Sequence, residues 1–205
     1  MKKLTLLLIG LTLSITFAAQ AGGQQQLASS IGDARTEASR TAEQLKATLA
    51  ALTKLSAQKS GNLRPAYDAF AAEIPRTDAA AESTRTRARW MAGDGMQYFT
   101  DWQNTIKAIN NASLQKKAQK RFDKVKASYG KVEVAMQSAA EKFNPFLSDL
   151  KDIQKTLSTD VTAGGVKAVR STVRSANWNH HAVDGAIQSA LKEMNKMEKA
   201  LSSEA

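Results

Sequence analysis

Cysteine is absent from this 205-residue chain. That excludes disulfides, thiolate metal sites and thiol nucleophiles, and it leaves no sulfur for a lipid anchor of the bacterial lipoprotein kind. Proline is scarce, with only Pro65, Pro75 and Pro145, so long helices are permitted almost everywhere. The two histidines, His180 and His181, are adjacent; on one helix they face apart and do not chelate a single metal. There is no His-Glu-x-x-His run, no phosphate-cradling glycine loop and no Glu-x-x-His pair of the di-metal bundles. Neither cofactor nor catalytic residues are expected, and a metal-dependent enzyme around His180 is the weakest reading.

The start of the chain carries an address. Met1-Lys2-Lys3 is a positive n-region, Leu4 to Phe17 an apolar run too short for a comfortable span, and Ala19-Gln20-Ala21 a small-x-small cleavage site. Residues 1–21 are therefore expected to be a signal peptide cleaved after Ala21, giving a periplasmic mature chain without a transmembrane segment. Loss of Lys2 and Lys3 lowers the formal charge of +10 by two, and the mature chain stays strongly basic. Export argues against nucleic acid as the partner of that charge. An anionic envelope component or another protein is expected instead.

What the mature chain has in abundance is one spacing rule. From Ala118 through Phe122, Val125, Tyr129, Val132 and Met136 to Leu157, apolar residues alternate gaps of four and three; the rule restarts at Val166 and runs to Leu201. Such an a/d seam belongs to long helices packed side by side. The expected fold is all-α, an elongated antiparallel four-helix bundle with coiled-coil-like packing. Residues 22–26 form a flexible lead-in, 27–201 one bundle domain and 202–205 a frayed tail. Helices are expected over Leu27–Gln58, from Asn62 to about Ile109, from a Ser113 cap to Leu157, and from Val166 to Leu201. At about 1.5 Å per residue, the second and third helices make a long hairpin whose tip projects roughly 15–25 Å beyond the others. An oligomer would add burial to a seam thinned by alanine.

Three places depart from a plain bundle. At the hairpin tip Lys116, Lys117, Lys120 and Lys124 occupy positions facing away from the seam, with Arg121 flanking it and Trp102 on the opposite arm. They form either a cationic, partly apolar surface for an anionic partner or solvated lysines beside a core tryptophan. Further along, Pro145 kinks its helix at the height of Asn177 and His180, a polar seam that sets register or forms a small site. Gly93-Asp94-Gly95 faces Gly130, allowing close approach or a hinge.

The stretch from Phe99 to Leu147 carries an aromatic-acidic-Trp segment (Phe99, Asp101, Trp102), then Asn111-Ala112-Ser113-Leu114, Arg121, Tyr129, Met136 and Phe143-Asn144-Pro145-Phe146-Leu147. It resembles a bacterial family catalogued as domain of unknown function 2959, with similarity extending from about Leu27 to Leu201. The resemblance implies an exported, helical, coiled-coil-rich Gram-negative envelope protein without assigned activity. Many such relatives are lipid-anchored through a cysteine that this chain lacks. Composition and resemblance together suggest a non-catalytic periplasmic binding or scaffold protein. A chaperone-like client binder and a membrane-active, shape-changing bundle are the alternatives.

Overall fold

A computed structural model describes the backbone of residues 5–202 and the side chains of residues 22–202. Five helices follow one another: α1 (Thr5–Ala57), α2 (Arg64–Lys107), α3 (Ala112–Thr159), the short α4 (Ala163–Ala168) and α5 (Arg170–Ser202). Among the described residues there is no strand. The all-α antiparallel bundle is as expected. α1 packs against α2 and α5, and α3 against α5 and α2, so the four long helices close a ring around one axis.

Each reversal has a local cause. Gly61, at φ 86, supplies the left-handed residue between α1 and α2. Asn62 there accepts the Arg64 N–H through Oδ1 at 3.0 Å, and a proline in the first turn lacks a donor the helix would leave unpaired anyway. Asn111, not Ser113, caps α3, its side-chain oxygen taking the Leu114 N–H at 3.0 Å. An asparagine two residues ahead already has the extended backbone a cap requires, and Ser113 lies inside the first turn. Between α3 and α4 the hydroxyl of Thr162 caps Gly165 at 3.2 Å. A Cβ on Gly165 would sit 2.1 Å from the Asp160 carbonyl, so the turn admits only glycine. The helix expected from Val166 is thus one short turn, a break at Val169, and then α5.

One further expectation is corrected. The lead-in Gly22–Gln26 is helical, continuous with α1 and tied down: Gln24 donates to the Leu201 carbonyl at 2.5 Å and Gln26 to Asp94 at 2.8 Å. Glutamine contacts across the bundle outweigh the weak propensity of two glycines. Neither Pro75 nor Pro145 interrupts its helix. Both rings lie on the exposed face, where carbonyls that lose their N–H partner turn to water. The expected signal peptide, residues 1–21, and the tail beyond Ser202 fall outside the residues whose side chains are described.

Inside the ring the apolar packing is divided. One cluster, around Leu45, Phe70, Phe146, Leu150 and Val183, fills the end of the α1–α2 turn. A second, around Leu27, Met91, Phe99, Trp102, Phe122 and Met194, fills the end of the α2–α3 turn. Between α1 and α2 runs a ladder of buried hydroxyls: Thr48 meets Thr77 at 2.6 Å, and Thr41 meets Thr84 and the Ala80 carbonyl at 2.9 Å. Each buried oxygen is satisfied, so the ladder fixes register without the cost of an orphaned polar group.

Candidate functional site

Among the residues whose side chains are described, the α2–α3 hairpin extends past the contacts that α1 and α5 make with it, while the α1 backbone itself continues to Thr5. Gly23 of α1 lies against Tyr98, and Leu201 closes α5 at the same height. From Tyr98 to the turn the hairpin runs on for roughly 18 Å. Its arms are stitched by Gln103 to Gln119 at 3.0 Å and by Gln115 to the Ile106 carbonyl at 3.2 Å. Lys116, Lys117, Lys120 and Lys124 are all exposed, and none forms an ion pair with a described residue. From Phe99 to Lys126 the sequence holds seven basic side chains against Asp101 and Asp123.

Trp102 does not belong to that surface. It is 7% exposed, packed 5.3 Å from the Phe122 ring and 5.5 Å from Tyr98. Its periodic neighbours Phe99 and Ile106 turn it inward, and the bundle interior claims its large apolar face. Arg121 caps it from outside, the guanidinium 5.7 Å from the ring centroid. The apolar residue that does reach solvent here is Leu114, 56% exposed in the first turn of α3 among the lysines. Its apolar character inside a run of polar residues was the available signal, obscured because the seam rule has no place for it.

At the polar seam, Pro145 and His180 do share one level, since Phe146 and His180 lie 5.8 Å apart edge to face. His180 is buried, and neither ring nitrogen has a hydrogen-bond partner. Burial holds its imidazole below the ordinary value of 6.5. The Asp184 carboxylate one turn on pulls the other way, while His181 and Lys46 add to the lowering. Asn177 stays on its own helix, donating to the Val173 carbonyl at 2.8 Å, so it takes no part in a cross-helix site. The polar link between α3 and α5 comes instead from Asp149, which accepts from Ser175 at 2.8 Å and Asn179 at 2.7 Å. Among the described residues no three metal-ligating side chains converge, here or elsewhere.

The glycine pairing resolves into something different. Gly93 and Gly130 face open space. Gly95 instead receives the ring of Tyr129: a Cβ there would lie 2.5 Å from the phenol carbon and oxygen. The Tyr129 hydroxyl donates to the Met91 carbonyl at 2.9 Å, and burial pushes that phenol well above its usual range, so it remains a donor.

A fourth feature lies at the waist, between the two apolar clusters. Alanines from all four long helices meet there (Ala38, Ala81, Ala88, Ala139, Ala190), and they leave a cavity of about 420 Å³ opening between α2 and α3. Met91, Met136, Phe143, Val183 and Ile187 complete an apolar lining, while Arg85, Arg89, Glu133 and Gln137 stand at the mouth. A groove of about 490 Å³ continues from Ala92 and Glu133 toward Lys107 and Lys126 at the tip. Volumes of this order are those of small-molecule sites.

Residues 21–201 match the family described as protein of unknown function (DUF2959). The chain belongs to this family. The resemblance, carried by Phe99 to Leu147 and expected from about Leu27 to Leu201, is thus confirmed, and in this DUF2959 protein the match reaches all five helices, beginning within α1. Comparison with curated proteins gives no match.

Proposed function

We propose that this chain is a non-catalytic envelope protein, exported through residues 1–21, whose hairpin tip docks on an anionic phospholipid surface. The observation that carries the reading is the cluster of exposed Lys116, Lys117, Lys120 and Lys124, none ion-paired with a described residue, around solvent-facing Leu114 at the turn end of the α2–α3 hairpin. Lysines of this kind place their ammonium groups among phosphates while their stems and a leucine lie in the headgroup boundary. Each contributes about 1 kcal/mol near a negative membrane surface, so four suffice for reversible attachment. Support for export comes from the leader pattern and from a family match that begins at residue 21. Among the described residues no helix is long and apolar enough to cross a membrane.

Cosedimentation with anionic and with neutral phospholipid vesicles tests this reading. Binding is expected to anionic vesicles alone, to fade as salt shortens the screening length, and to fall at least about a hundredfold in the Lys116→Glu, Lys117→Glu, Lys120→Glu, Lys124→Glu protein. Circular dichroism of that variant should be unchanged, since the four side chains support no packing. Equal binding to neutral vesicles, or none to either, refutes the proposal. A partner-protein reading would then be left for the same surface, to be sought by crosslinking at Lys117.

A further inference from the structure

A second site, independent of the tip, is implied by the waist. The cavity is not a flaw of one oversized gap between two side chains, because alanines on four different helices converge at one level to make it. Its floor is formed by α1 and α5 through Ala38, Val183 and Ile187, and behind the mouth the polar side chains among its described lining are the mutually bonded Thr41 and Thr84. Behind the mouth a guest therefore meets only the acceptor lone pairs of hydroxyls whose protons go to each other and to the Ala80 carbonyl, and must itself be largely apolar there. The mouth is different. On the α2 wall Arg85 and Arg89 share a single carboxylate, Glu82, at 3.2 Å and 2.9 Å, which leaves one guanidinium charge unmatched. Arg85 is also held over the Phe143 ring at 5.3 Å, so it bridges the apolar lining and the solvent. Glu133 stands on the facing α3 wall and confines any anionic group to the α2 side.

We propose that the waist cavity binds the acyl chain of a single-chain amphiphile whose carboxylate or phosphate head is held by Arg85 and Arg89. Guanidinium forks suit either head group, and both compounds are of the size that the cavity and its continuing groove accommodate. A free fatty acid and a lysophospholipid are the two sources of such a ligand.

Titration calorimetry of the purified protein with dodecanoate, dodecyl phosphate and dodecanol, each below its micellar concentration, decides the matter. Saturable one-to-one binding of at least one charged compound is expected, with dodecanol at least about tenfold weaker. The tighter of the two charged probes names the source. Arg89→Gln should lower affinity for that probe about tenfold, whereas Glu133→Gln should leave it equal or tighter. Ala140→Leu, which fills the mouth from the partly exposed side of α3, should abolish binding while the melting temperature holds or rises. No saturable binding overturns the proposal, as does binding that Ala140→Leu leaves intact. Equal affinity for dodecanol, or weakening by Glu133→Gln, overturns it as well.

Discussion

Single residues in this bundle are judged by what lies within a methyl group of them. Gly95 and Gly93 are two positions apart and look alike in sequence, yet only Gly95 has a ring against it. Replacing Gly93 or the equally open Gly130 by alanine should stabilise the protein by up to about 1 kcal/mol through helix propensity. Gly95→Ala should instead destabilise it by about 1–3 kcal/mol, because the Tyr129 ring must move and its bond to Met91 is stretched. Urea unfolding of the three variants checks the contrast, and a stabilised Gly95→Ala protein would contradict the close approach. His180 offers a second residue-scale prediction. Its folded imidazole takes a proton only below the ordinary value of 6.5, so the unfolded chain binds that proton more readily. Stability from this group is complete above about pH 6.5 and is lost as the pH falls from there through the lower folded value. Melting temperatures between pH 7.5 and 5 should drop less in a His180→Leu protein than in the parent. An identical drop would mean that other groups govern the acid limb.

Helices were the most legible elements, and their contents the least. From Phe122 to Leu157 the seam residues turn inward as the three-four spacing requires, with Met136 alone among them only half-buried, because period decides which face of a helix is apolar. The lead-in was misread for the opposite reason: Gln24 and Gln26 are ordered by partners on α5 and α2 that no local rule reveals. The threonine ladder had a signal, since Thr41 and Thr48 are one heptad apart and so are Thr77 and Thr84, but only the pairing of α1 with α2 makes them neighbours. Similarly, alanines at Ala38, Ala139 and Ala190 read as good helix formers; that they stack at one height and leave space emerges only when four helices are set in register. The tip lysines were legible, and Trp102 stayed open between surface and core because a tryptophan at helical spacing fits a wet or a dry face equally. At this scale the prolines are also testable. Pro145→Ala restores a donor to the Glu141 carbonyl and should raise stability by about 1–3 kcal/mol. A loss of stability would instead show that the backbone geometry fixed by Pro145 is needed to seat Phe143 and Phe146.

Across the whole molecule, the two apolar clusters meet only at a waist lined by small residues. Phe70, fully buried in one of them, is far from the other, and Phe70→Ala should cost about 3–5 kcal/mol. The four long helices nevertheless cross the waist without a break, so continuous backbone joins the halves on either side of the cavity. Amide hydrogen exchange should therefore resolve two protection levels in one chain. In the Phe70→Ala protein the amides near Leu45 and Leu150 should exchange sooner, while those near Phe99 and Val132 keep their parental rates; a uniform loss along every helix would mean that a single cooperative unit spans both ends. Each half would then breathe to its own rhythm, and a lipid or ion that clamps one of them would leave the deuterium clock of the other running unchanged.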